Sequence, residues 1–185
     1  LCTADDRLRR AVIQQLISLV GENPEREGLI ETPRRVAQTY QKLLSGYHQN
    51  LEGMMTVFDN EGYDEMVIAK EIEFFSLCEH HLMAFFGKVH IGYIPGDKII
   101  GLSKLPRLIE VFSRRMQTQE RLTSQIAQGL MDLLHPKGVG VVIEAQHLCM
   151  MARGVEKQNS VMTTSALRGL FKKNLNTRSE FLKLI

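Results

Sequence analysis

Cys78 and His81 stand three residues apart in Phe75-Ser76-Leu77-Cys78-Glu79-His80-His81, the short bite of a thiolate and an imidazole that share one metal ion. The whole chain holds only three cysteines and six histidines, so a thiol and two imidazoles in four consecutive residues concentrate its ligand chemistry in one place. Two ligands do not close a site. The other pairing of these residue types is His147-Leu148-Cys149, far along the chain. Adding Cys149 to Cys78 and His81 gives three protein ligands, and three point to chemistry, because structural zinc sites are closed by four while catalytic ones keep a position open for water. Adjacent His80 and His81 cannot both easily point at one ion, which leaves His80 spare, and His147 is a second spare imidazole. Two unligated histidines beside an ion that acidifies water are what proton transfer near neutral pH requires. Taken singly, each residue has a bland role, as a small buried hydrophobe or a satisfied core histidine; the conjunction carries the metal reading.

The elements that must position these groups follow from hydrophobic period. Residues 5 to 20 place Leu8, Ala11, Val12, Leu16, Leu19 and Val20 on one helical face, and Gly21 ends that helix. Thr32-Pro33 reads as an N-cap and first helical residue, followed by Val36, Ala37, Tyr40, Leu43 and Leu44 before Gly46. Residues 47 to 65 show no period and are expected to be a loop. From Met66 the period is two and runs into Cys78, which puts the metal pair at or just past a strand end. A second strand over Gly87 to Ile94, closed by the turn Pro95-Gly96-Asp97-Lys98, is expected to pair antiparallel with the first. Ser103 is a plausible N-cap for a helix through Phe112, and a further helix runs from about Gln119 to Leu134. Gly138 to Met150 alternates strictly, so His147 and Cys149 are expected on one strand face. A last strand within 159 to 171 and a short helix capped by Asn176-Thr177 complete the chain.

Phosphate recognition has no P-loop and no G-x-G-x-x-G here. A helix start at Ser103, with Lys104 and Arg107 close by, can hold an anion, although a solvated basic helix start is the plainer reading. Gln119-Glu120 also opens a helix, where acids are common, and a carboxylate there can accept two hydrogen bonds from a guanine or pterin edge. Arg153 is either a surface residue or a phosphate clamp. At 185 residues the chain suits one domain with a real core, and a formal charge of +2 gives no footprint for nucleic acid or an anionic membrane. Neither is expected as a partner. Unpaired cysteines beside histidines suggest a reducing compartment. With no apolar run of about 18 residues and no visible signal peptide, the expectation is a soluble, cytoplasmic protein, and the Leu1 start leaves room for an upstream segment.

Five blocks together resemble the signatures of the GTP cyclohydrolase I family: Ser76-x-Cys78-Glu79-His80-His81, Gly101-Leu102-Ser103-Lys104, Gln119-Glu120-Arg121-Leu122-Thr123, His147-x-Cys149 with Ala152-Arg153-Gly154, and Asn176-Thr177-Arg178-x-Glu180-Phe181-Leu182. The likeness runs in order from about residue 30 to the C-terminus, with one departure at Met83-Ala84-Phe85, where the family has Leu-Pro-Phe.

The resemblance implies an α+β tunnelling fold, a four-stranded antiparallel sheet with two helices between its strand pairs and a helical N-terminal extension. It divides the chain into an extension over 1–65 and a catalytic domain over 66–185. It further implies closure into an oligomeric barrel, a homodecamer of two pentamers, with active sites at subunit interfaces. For activity it implies zinc held by Cys78, His81 and Cys149, and hydrolytic opening of the guanine imidazole ring of GTP at C8. Formate leaves, and the remainder rearranges to 7,8-dihydroneopterin triphosphate. His147 would protonate the purine nitrogen, His80 would act at the ribose oxygen and Ser103 would assist the sugar rearrangement. Glu120 and Gln119 would hold the base edge, Lys104, Arg107 and Arg153 the triphosphate, and Leu102 and Arg35 would complete the substrate contacts. A zinc nucleobase deaminase needs a Cys-x-x-Cys and a His-x-Glu that this chain lacks. A noncatalytic, zinc-stabilised pterin- or nucleotide-binding module of the same fold is the alternative.

Overall fold

The computed structural model describes the backbone of residues 4–185 and the side chains of residues 7–185; Cys2 lies outside them. The chain divides into two compact units, Leu1–Leu44 and Ser45–Ile185. In the first, α1 (Ala4–Leu19) packs against α2 (Thr32–Leu43). Thr32 is already helical and Glu31 takes the N-cap position, so the expected cap is one residue late; Pro33 sits in the first turn, where a missing N–H leaves no hydrogen bond unmade. Arg35 lies on α2.

The second unit opens with structure where a loop was expected. A 3-10 turn covers Ser45–His48, and α3 (Leu51–Met54) is capped by Asn50, whose side chain accepts from the Glu52 amide at 3.1 Å. β1 (Val57–Asp59) follows, exposed at all three residues, so it carries no alternation to read. Next come β2 (Val67–Cys78), β3 (Ala84–Ile94) and β4 (Lys98–Ile100), the last pairing with β1. β2 does run into Cys78 and does pair antiparallel with β3, which begins three residues before Gly87. Then α4 (Lys104–Ser113), a two-residue β5 (Met116–Gln117) and α5 (Gln119–Leu134) lead into β6 (Gly138–His147). A one-turn α6 (Leu148–Met151), β7 (Met162–Gly169), a one-turn α7 (Leu170–Lys173) and α8 (Leu175–Leu184) finish the chain. α8 is capped by the Asn174 side chain, which accepts from the amides of Asn176 and Thr177, so the cap lies ahead of the Asn176-Thr177 pair expected to supply it.

The main sheet has the order β5-β2-β3-β6-β7. Its four long strands pair antiparallel, as expected, and β5 adds a short parallel edge beside Leu77 and Cys78. α4 and α5 bury one face: Leu105, Leu108, Ile109, Leu122, Ile126 and Leu130 close over Val89, Ile91, Val141 and Ile143. Each such side chain contributes about 1.5–3 kcal/mol when fully buried, so this face is the rigid platform. On the opposite face, Phe171 and Phe181 pack on Val142. The mixed α+β architecture is consistent with a tunnelling fold. No helix among the described residues is long and apolar enough to cross a membrane.

Candidate metal centre and active site

One end of the sheet gathers the ligand chemistry. β2 ends at Cys78, β3 starts at Ala84 opposite Leu77, and β6 ends at His147 opposite Phe85. The last β3–β6 pair is Phe85 with His147, one residue from the start of β3, so among the described residues β6 has almost no strand left to pair with past His147. The backbone therefore coils into α6, and Cys149 sits on that turn rather than on the strand face that alternation suggested. The turn carries the thiol back toward β2. Ligand atoms of Cys78, His81 and Cys149 all lie within 4.8 Å of one another. Cys78 Sγ is 3.6 Å from His81 Nδ1. Zinc–sulfur and zinc–nitrogen bonds of about 2.3 and 2.0 Å at a tetrahedral angle separate the two donors by roughly 3.5 Å, so the pair is spaced for that ion. Two thiolates and an imidazole suit zinc, and the trio leaves a fourth position free.

The thiols must lose protons to ligate. Burial, and then the neighbouring Cys78 thiol, push the Cys149 thiol up from its ordinary value, so ion binding at neutral pH releases protons and weakens as pH falls.

The 78–82 turn is held from several sides. The Cys78 amide donates to Met83 O at 2.8 Å and the Glu79 amide to Gln117 O at 3.1 Å. The Glu79 carboxylate pairs with Arg121 of α5, whose guanidinium also donates to Gln117 Oε1 and to Met116 O, both at 2.8 Å. Arg121 thus ties the metal-binding turn to β5 and α5, a role missed in the sequence, where it stands beside Gln119-Glu120 in a block read for base recognition. Arg121→Ala is expected to weaken zinc about tenfold, in the range seen when groups that orient metal ligands are removed, as measured by chelator competition.

His80 is exposed, with its ring edge-on to His81 at 6.2 Å and its Nε2 3.8 Å from Glu79 Oε1. Arg153, expected at the triphosphate, places Nη1 2.9 Å from His81 Nε2, so it reaches the metal-binding turn directly. His147 is half-buried and stacks flat on Phe85, centroids 4.7 Å apart and planes within 1°. Burial holds its imidazole below the ordinary histidine value, with the Glu120 carboxylate opposing, which favours a neutral ring. Its Nε2 meets Gln119 Oε1 at 2.8 Å.

Gln119 and Glu120, adjacent in sequence, face different ways. Gln119 is 1% exposed, with its amide nitrogen donating into β6 and β7. Glu120 is exposed and lines a groove of ≈ 480 Å³ with Thr164, Ser165 and Arg168 of the β7 edge. Ser103 takes the N-cap position of α4, though its hydroxyl makes no cap bond; Leu102 and Arg107 are exposed, and Lys104 donates to Met54 O at 3.1 Å. These four sit at or just before the first turn of α4. The other end is marked by Ser76, whose hydroxyl donates to Arg115 O at 3.4 Å, and the ten residues of α4 span about 15 Å.

Three soft donors with an open position, beside a neutral imidazole held in place, are the equipment of a metal-dependent hydrolase. The family model described as GTP cyclohydrolase I matches residues 9–185. The GTP cyclohydrolase 1 of Campylobacter jejuni is 57% identical over 175 residues, covering 94% of this chain and 92% of the relative. That of Chlorobium phaeovibrioides is 59% identical over 175 residues (94% and 78%), and that of Methylococcus capsulatus 56% over 176 residues (94% and 95%). The chain belongs to the GTP cyclohydrolase I family.

Proposed function

We propose that this chain is a zinc-dependent GTP cyclohydrolase I, which opens the imidazole ring of GTP, releases C8 as formate and rearranges the remainder to 7,8-dihydroneopterin triphosphate. The observation that carries the reading is the Cys78–His81–Cys149 trio at the sheet end of a chain whose family match spans residues 9–185. When bound, the ion supplies Lewis acidity and a water of lowered pKa. The rest is the work of side chains. His147, neutral and fixed against Phe85, moves a proton at the purine nitrogen so that the ring opens. His80, exposed beside the turn, serves the ribose oxygen, and Ser103 the later sugar rearrangement. Glu120 accepts from the N1–H and 2-amino group of the base at the β7 groove, with Gln119 buried behind it. Lys104, Arg107 and Arg153 take the triphosphate, whose remote binding energy orients the reacting ring, and Leu102 completes the contacts. All of these lie within 66–185, the segment expected from sequence to be the catalytic domain.

Ser103, Lys104 and Arg107 lie at the first turn of the ten-residue α4, whose other end leads to the Arg115 carbonyl beside Ser76 of β2, which supports active sites shared between subunits. Two free sheet edges support a ring. Among the described residues, β7 pairs only with β6, and β2 beyond its β5 contact pairs only with β3, so one copy's edge can meet another's and close a barrel, as in a homodecamer of two pentamers.

Incubation with GTP is expected to give formate and a fluorescent pterin. Glu120→Ala is expected to raise KM for GTP about 10–100-fold, the loss of hydrogen bonds to a charged acceptor. A zinc-loaded protein that binds GTP without yielding formate would be a binding module instead.

A further inference from the structure

The buried amide of Gln119 has only one orientation open to it. Its Nε2 lies 3.0 Å from Ile143 O, 2.9 Å from Met162 O and 3.1 Å from Thr164 Oγ1. Two of those are backbone carbonyls, which have no proton to give, so the amino end of the side chain must face them and the oxygen must face the other way. The hydroxyls agree. Thr123 Oγ1 donates to Gln119 O at 2.6 Å, which uses its one proton. Toward Thr164 Oγ1, 2.7 Å away, Thr123 must therefore accept, so Thr164 donates to Thr123 and has only lone pairs left to face Gln119 Nε2. The two amide protons of Gln119 are thus shared among two carbonyls and one hydroxyl, all of them acceptors.

The amide oxygen left over points at His147 Nε2, 2.8 Å away. An amide oxygen only accepts, so the imidazole nitrogen facing it must carry the hydrogen. Turning the ring over would keep the stack on Phe85 but set Cε1 against that oxygen and forfeit the bond. We propose that Gln119 is a positioning residue that fixes the proton of His147 on Nε2, so that Nδ1 is the nitrogen that takes and returns protons during the reaction. This rests on the reading of His147 as the proton carrier. It assigns Gln119 to the histidine, with Glu120 alone left to grip the base by its side chain.

The tautomer is read directly by solid-state 15N NMR of zinc-loaded protein labelled at histidine, with His147→Ala identifying the signals that belong to His147. The expected spectrum shows a protonated Nε2 and an unprotonated Nδ1 at that residue. Gln119→Leu is expected to populate the Nδ1–H form and to lower kcat by roughly 10²-fold with KM for GTP within about threefold, the pattern of a base held in the wrong tautomer. A proton on Nδ1 in the wild-type protein overturns the proposal without any variant having to fold, and so does an unchanged tautomer with unchanged kcat in a folded Gln119→Leu. The two readings fail separately: an Nδ1–H tautomer in a protein that releases formate from GTP removes the role of Gln119 and leaves the activity. An Nε2–H tautomer in a protein that releases none supports Gln119 as the orienting group and removes the activity.

Discussion

His147→Ala is expected to keep its zinc and to lose about 10²–10⁴-fold in formate release, the range contributed by a positioned proton-transfer group. The separation follows from geometry. His147 is outside the ligand trio, ends a different strand from Cys78, and is held by Phe85 and Gln119 rather than by the metal donors. Cys149→Ser should behave differently, losing zinc and turnover together, because a hydroxyl replaces one of only two thiolates in a three-ligand set. Metal analysis and single-turnover formate release on the two variants check both halves. Near-normal turnover in His147→Ala would show that the proton comes from elsewhere.

Mixing two inactive chains is expected to restore activity. One parent is His147→Ala, damaged at the metal end of the sheet; the other is Lys104→Ala with Arg107→Ala, damaged at the start of α4. If each active site joins the metal end of one subunit to the α4 start of another, chains reassembled at equal amounts place both intact halves together at about a quarter of the sites, by random pairing in a symmetric ring. The effect is large because each parent alone is nearly silent. A mixture no more active than its parents would mean that both halves come from one chain.

Much of the metal centre could be read from residues alone because its parts are local. Cys78 and His81 share a turn, and the period-two run from Met66 placed them at a strand end, where β2 does stop. The bounds of α5 were equally plain, since an amphipathic run from Gln119 to Leu134 is a short-range pattern. Where the outcome depended on a distant partner, period misled or was silent. Alternation from Val139 continues through Cys149, but pairing ends at His147, whose partner Phe85 stands one residue from the start of β3 after the 79–83 turn. β1 lies inside the 47–65 stretch read as a loop and pairs with β4, and a strand exposed at every residue, as β1 is, has no buried face to betray it. The roles of Gln119 and Arg121 were hidden for the same reason. Next to Glu120 they look like one polar helix start, yet Gln119 is buried against β6 and β7, and Arg121 reaches across to Glu79.

The most direct test of the metal-dependent chemistry is a zinc titration of chelator-stripped protein in the presence of GTP, with bound zinc and released formate measured on the same sample. Formate release is expected to rise in proportion to zinc and to level off at about one ion per chain, the stoichiometry of a single three-ligand site. Full zinc occupancy without formate, or undiminished formate release after the zinc has been removed, would contradict it.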